Sequence, residues 1–298
     1  MFISAGAEAL HQKFRDRSDE SWLDILVTSL RTPQIDGVEM PGFPEESFQR
    51  ALHGHANEVS LHEAHSFFRE VKAYAQYAGH PVAPHRTLLD FGCGWGRVLR
   101  LFMKDIEPGN LYGADSTSRF LMEARRCNPA LSFLACGQAP GLILKEASLD
   151  YVVSWSVFSH LDEYLATRWV EEFWRLLKPG GLVFLTTQSR RFIGFCAEQR
   201  VKRASGIKLE HGWHEACADS FTDEAGANSR FEAGEFLHAA SVAAPHPQSH
   251  YGEAIIPRGY VVKHWSRLFR LVTYMDNPVR LPQVLIVLQK PLIEGARI

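Results

Sequence analysis

Cysteine is scarce in this chain: five residues (Cys93, Cys127, Cys136, Cys196, Cys217) among 298, an odd number with no CxxC pair. That usage argues against a disulfide framework and against a thiolate zinc site, and a reducing, cytoplasmic setting is expected. A dominant charge is lacking too. Charged residues make up 22%, the formal net charge is -2, and no long run of like charge occurs. Neither a nucleic-acid surface nor an acidic tail is expected from that balance. No apolar run approaches the ~20 residues needed to cross a bilayer. The opening MFISAGAEALHQKFRDRSDE turns polar too soon for a secretory signal. Internal repeats and low-complexity tracts are also missing. What remains is a hydrophobic content of 46%, enough for one large core or one core with an inserted cap.

The first 84 residues read as an arm that ends in a helix. Ser60 is placed to cap that helix, with Glu63 three positions on completing a capping box. Leu61, Ala64, Phe67, Phe68 and Val71 then give it one apolar face. From Thr87 strands and helices alternate: strand 87–90, helix 96–104, strand 111–114, helix 118–126, strand 131–135, strand 149–154, helix 162–177 and strand 181–187. Lys178-Pro179-Gly180-Gly181 is expected to close the helix before the last of these strands. On helix 162–177, Glu171 and Glu172 are expected to face solvent or Arg175. Residues 190–204 read as helix, and 205–250 as polar, histidine-rich and poor in strand signal. A helix at 260–269 and strands at 271–275 and 283–289 follow.

The fold class is therefore α/β: a doubly wound, mostly parallel sheet with an antiparallel C-terminal strand and an inserted cap. Four segments are expected: an N-terminal helical arm (1–84), a ligand-binding core (85–189), the cap (190–258) and closing strands of the core (259–298).

The most informative stretch is LLDFGCGWGRVLRLF, Leu88 to Phe102. Asp90 lies in a buried strand, and Gly92, Gly94 and Gly96 follow at alternate positions before an amphipathic run. A strand, a tight turn and a helix start in that order are expected to offer free backbone N–H groups to a polar, nucleotide-sized ligand. Open α/β sheets bind ligands at the carboxyl ends of their strands, where these glycines fall. Asp115 ends the next strand, where a carboxylate can accept both hydroxyls of a ribose or cap the following helix. Gln138 follows the third strand and can reach a base edge. Asp150 opens the fourth strand, the wrong end for a ligand, and reads as structural. The spacing is GxGxG, whereas a dinucleotide site prefers GxGxxG, and Trp95 and Arg97 crowd the approach of a pyrophosphate. A nucleoside without a pyrophosphate suits the turn better; a tight joint with no ligand is the bland alternative.

At these residues the chain resembles the class I methyltransferases that use S-adenosylmethionine. LLDFGCGWGRVLRLF, LYGAD, SLDYVVSWSVFSHLDE and WRLLKPGGLVFLTT carry the resemblance, in that order, over residues 87–187. It implies S-adenosylmethionine as cofactor. It places Gly92, Gly94 and Gly96 against the methionine and ribose, with Asp90 beside them and Asp115 on the ribose hydroxyls. The adenine-edge position, often an aspartate in that family, is Gln138 here.

Sulfonium methyl transfer needs in-line alignment and exclusion of water, with a base only where the acceptor must lose a proton. His160, after the fourth strand, is the candidate base, or else it packs the start of helix 162–177. Trp155 and Phe158 line a pocket or belong to the core. In HGWHEACAD, His211, His214, Glu215, Cys217 and Asp219 lie close together, but HxxHE is not HExxH, and no metal is expected. The expected acceptor is a small molecule or a glycan; no nucleic-acid partner is expected, and the oligomeric state is left open. A nicotinamide-dependent oxidoreductase, and a binding protein that keeps this fold without catalysis, are the competing readings.

Overall fold

The computed structural model describes residues 5–240 and 251–292. In the N-terminal arm, helices α1 (Ala5–Phe14) and α2 (Asp19–Thr28) precede a small hairpin of β1 (Gln34–Ile35) and β2 (Val38–Glu39). Helices α3 (Glu46–His53) and α4 (Asn57–Tyr77) complete the arm. The alternating region holds β3 (Leu88–Phe91), β4 (Leu111–Asp115), α5 (Ser118–Cys127), β5 (Ser132–Ala135), β6 (Leu149–Ser154), α6 (Glu163–Leu176) and β7 (Leu177–Thr187). Beyond it come α7 (Arg191–Ala204), α8 (Gly212–Asp219), α9 (Glu224–Glu232), β8 (Leu237–Ala240), β9 (Gly252–Ile255), β10 (Arg270–Met275) and β11 (Val284–Gln289).

Seven strands form one sheet in the order β10-β11-β7-β6-β3-β4-β5. β3 pairs parallel with both β4 and β6, β4 pairs parallel with β5, and β10 pairs antiparallel with β11. The fold class expected from the sequence is the one observed. Every residue of β3 and β6 is buried, which is why both read as unbroken apolar runs rather than alternating ones.

The chain divides into two compact units. Unit 1 comprises Met1–Trp155 and Arg175–Phe184; unit 2 comprises Ser156–Trp174 and Leu185–Ile298. These boundaries differ from the four segments expected above, because the arm belongs to the same unit as β3 to β6. The Trp22 indole donates to Leu101 O (3.0 Å), and a His11 ring nitrogen lies 3.1 Å from Met103 O.

Several local expectations are corrected. Ser60 does not cap α4: the helix begins three residues earlier, and Ser60 is buried in its first turns. Its carbonyl and hydroxyl both accept from Arg97, while Glu63 takes Arg97 (2.6 Å) and His55 (3.1 Å). Tertiary partners have displaced the capping box. The expected helix 96–104 is a chain of turns followed by a 3₁₀ segment, Leu99–Lys104. Every residue of that segment is buried, and i→i+3 bonds such as Leu101 N–H to Val98 O tighten it. The Lys178-Pro179-Gly180-Gly181 stop lies inside β7 rather than at a helix end, with Gly180 at φ +81°. Arg175 donates to the carbonyls of Leu142 and Leu144, and Glu171 pairs with Arg168 and Arg267. The helix expected at 260–269 is one turn, Arg258–Tyr260, widened into a π turn, Val261–Trp265, that stacks Tyr260 on His264 at 4.3 Å. The polar stretch holds α8, α9 and β8, and its residues 241–250 lie outside the described residues. Asp150 is structural, as expected: it binds Arg86, Lys178, His80 and the Thr87 N–H.

Candidate functional site

The carboxyl ends of β3 and β4, in unit 1, bring Asp90, the glycine turn and Asp115 together. Gly92, Gly94 and Gly96 have φ of +73°, +53° and +83°, conformations that residues with a Cβ rarely adopt. The amides of this turn are not free, contrary to expectation. Gly92 and Cys93 both donate to Ala114 O (2.8 and 3.0 Å), and Gly96 donates to Cys93 O (2.8 Å). Gly94 donates to Asp115 Oδ2 (2.9 Å). Gly92 and Cys93 extend the pairing with β4 into the bend, while Gly94 and Gly96 are held by the Asp115 side chain and by the bend itself.

Gly96 has a packing reason of its own. A Cβ there would lie 2.8 Å from Asn128 Nδ2 and 3.4 Å from Phe133 Cζ. Asn128 has no room to yield, since it donates to Trp95 O and accepts from Arg100. Gly96→Ala is expected to cost about 2–3 kcal/mol from left-handed strain and the clash combined. Urea unfolding checks this, and an unchanged midpoint would refute it. At Gly94 the nearest atom to a Cβ would be Leu52 Cδ2, at 3.2 Å. Trp95 turns away from the bend into the core. Its ring lies 4.4 Å from the Arg100 guanidinium, and its indole N–H donates to His53 Nε2 (3.0 Å).

Two buried acids dominate the electrostatics. Burial and then the Asp115 carboxylate push Asp90 up to about 7, against the opposing pull of Arg97 and the Leu99 N–H. Among the described residues Asp90 Oδ2 has no hydrogen-bond partner. Burial also raises Asp115, partly offset by the N–H groups of Thr117 and Gly94. Each Asp115 oxygen accepts one of those amides, which leaves a further lone pair apiece. Gln138 is exposed in the loop after β5.

In unit 2, His160 Nδ1 lies 2.9 Å from the Gly252 carbonyl, and the ring stacks on Tyr251 at 4.7 Å and 13°. Glu253 Oε1 is 3.5 Å from the same nitrogen. Burial pulls the His160 pKa down, but Glu253 and the Gly252 carbonyl outweigh it and the pKa stands above the ordinary histidine value. His160 does not cap α6, because Asp162 Oδ1 accepts from the Leu165 N–H (2.8 Å). Sequence reasoning missed Glu253. The available signal was one acid inside the apolar strand YGEAII. Trp155 and Phe158 are both core residues, packed on Phe67 and on Phe173 respectively. Glu215 and Asp219 pair with Arg203, and Cys217 is buried. Among the described residues no His/Cys/Asp/Glu group could hold a metal, and no helix is long and apolar enough to cross a membrane.

A glycine bend thus lies between two buried acids at the carboxyl ends of the parallel strands β3 and β4. Comparison with known proteins narrows this. Residues 88–181 match the methyltransferase domain family. A probable S-adenosylmethionine-dependent methyltransferase of Mycolicibacterium smegmatis is 29% identical over 151 residues, 50% of this chain and 56% of that protein. A tRNA N(3)-methylcytidine methyltransferase of Schizosaccharomyces pombe is 28% identical over 118 residues, 36% of this chain and 38% of that protein. The chain thus spans about half the length, or less, of these curated relatives. The solved magnesium protoporphyrin IX methyltransferase of Synechocystis PCC 6803, with bound SAH, is 13% identical at a TM-score of 0.49, covering 82% of this chain and 93% of that one. Over residues 88–181 the chain is thus similar to a methyltransferase domain, and one of its partial relatives is described as using S-adenosylmethionine.

The residues present fit that cofactor. A buried acid pair with an unpartnered oxygen calls for a positive ligand, and S-adenosylmethionine brings a sulfonium and an ammonium. A dinucleotide would bring a pyrophosphate to the same acids and be repelled.

Proposed function

We propose that this chain moves the methyl group of S-adenosylmethionine to a small-molecule or sugar-containing acceptor. The observation that carries the reading is the acid pair Asp90 and Asp115 at the glycine bend, with Asp90 Oδ2 buried and unpartnered. Asp115 accepts the ribose hydroxyls through its remaining lone pairs. Gly92 and Gly94 let the ligand lie against the main chain, Asp90 faces its positive charge, and Gln138 meets the adenine edge. Gly96 supports the bend by packing on Asn128 and Phe133. Bound there, the cofactor supplies a methyl group already activated by the sulfonium. For an acceptor that must lose a proton, His160 of unit 2 is the candidate base.

Isothermal titration with S-adenosylmethionine is expected to show saturable one-site binding, with no heat from a nicotinamide dinucleotide. Absence of binding, or the reverse preference, would overturn the reading. The relative that acts on tRNA favours a second acceptor class. Methylation of tRNA in preference to small hydroxyl compounds would select it.

A further inference from the structure

The arm and the glycine bend both belong to unit 1, and the last turn of α3 touches the bend. Leu52 brings its Cδ2 to 3.2 Å from where a Gly94 Cβ would stand. The next residue, His53, is half-buried. Its Nε2 lies 3.0 Å from the Trp95 indole nitrogen, which can only donate. His53 Nε2 therefore accepts, and the neutral ring carries its proton on Nδ1. Nδ1 makes no hydrogen bond among the described residues.

Everything around this ring holds it still. Trp95 packs on Phe43 (5.9 Å) and on the Arg100 guanidinium (4.4 Å). Gly54 ends α3 at φ +79° and donates to Arg50 O (2.8 Å). His55 then pairs with Glu63 (3.1 Å), which also takes Arg97 (2.6 Å). Burial, and then the charges of Arg97 and His55, keep the His53 pKa well below the ordinary histidine value. The ring is an uncharged donor, fixed through one nitrogen and unengaged at the other.

S-adenosylmethionine carries its carboxylate on the same carbon as its ammonium, so a site that turns Asp90 to the positive charge must receive the carboxylate too. Without a donor, that group would be repelled by Asp90 and Asp115. The amides of Gly92, Cys93, Gly94 and Gly96 are already engaged inside the protein, and the Arg97 guanidinium is held by Ser60 and Glu63. We propose that His53 Nδ1 donates to the cofactor's carboxylate, so that the arm, which lies outside the matched residues 88–181, completes the cofactor site. This rests on the cofactor placement proposed above. A neutral donor suits the position. A lysine or arginine there would pair with the two acids and cancel the field that draws the sulfonium.

The test is calorimetry of the full chain with S-adenosylmethionine and with its decarboxylated analogue, which keeps the sulfonium and the amine. The readout is the ratio of the two affinities, in which a general loosening of the site cancels. Glutamine sets an oxygen where Nε2 was, keeping a partner for Trp95 but not the Nδ1 donor. His53→Gln should therefore shift the ratio against S-adenosylmethionine about 10- to 100-fold, the worth of one hydrogen bond to a charged group. Asparagine sets its amide N–H where Nδ1 was, so His53→Asn should keep the wild-type ratio while melting earlier. An unshifted ratio in His53→Gln overturns the inference even where both affinities fall, because it assigns His53 to packing alone. Should that variant fail to fold, His53→Asn decides: a ratio near wild type supports the inference and a shifted one overturns it. Wild type that binds neither compound sinks the cofactor placement itself, whereas binding of both with an unmoved ratio sinks only the role of His53.

Discussion

Asp115→Ala is expected to weaken S-adenosylmethionine binding about 100-fold by calorimetry. Hydrogen bonds to a charged group contribute roughly 1.5–3 kcal/mol each, and a ribose offers two hydroxyls. A loss of about 3 kcal/mol corresponds to about two orders of magnitude. The same carboxylate holds the Gly94 and Thr117 N–H groups, so the alanine variant also loosens the bend. Asp115→Asn separates the two effects: it keeps one carbonyl oxygen and should lose only about tenfold. Binding should also weaken on acidification earlier than an ordinary aspartate would allow. Burial raises the Asp115 pKa, and only the ionised form accepts at both oxygens. Wild-type affinity in Asp115→Ala would show that the ribose lies elsewhere.

The largest stability effect is expected at Asp150, at the other end of the sheet. Its carboxylate is 1% exposed and gathers Arg86 (2.7 Å), Lys178 (2.6 Å), His80 (3.3 Å) and the Thr87 N–H (2.9 Å). Asp150→Asn leaves two cations without their anion, a change that costs about 3–5 kcal/mol in buried settings. Thermal melting should fall by on the order of 10 °C. Burial alone would raise this pKa. His80, Lys178, Thr87 and Arg86 overcome burial and hold it well below the usual carboxylate range. The stabilisation is therefore complete above the unfolded value of about 3.9 and is lost as pH falls below it. Urea midpoints should drop more steeply from pH 5 to pH 3 in wild type than in Asp150→Asn. Equal midpoints at pH 7 would refute the hub.

What the sequence disclosed and what it hid divide by range. The strands at 87–90, 111–114 and 149–154 were legible as apolar runs separated by turn residues, all local signals, whereas their pairing register came from the structure alone. The alternate glycines and the acids before and after them were legible for the same reason. Ser60 misled because its hydroxyl and carbonyl answer to Arg97, 37 residues on. The 3₁₀ segment after the bend misled because its whole surface is buried, which erases helical periodicity. Glu253 was hidden because its partners, His160, Gln188 and Trp213, lie 40 to 93 residues away, and no spacing rule joins them.

The way the arm meets the 3₁₀ segment bears on how a minimal version should be cut. Family resemblance starts at residue 88. Yet Leu101 O and Met103 O have their partners in Trp22 and His11, Lys104 has Asp19, and Arg97 has Glu63. A fragment trimmed to the recognisable motif would strand two carbonyls and the Arg97 guanidinium, and leave Lys104 with Asp105 alone. The evolutionary border of this domain is not its folding border.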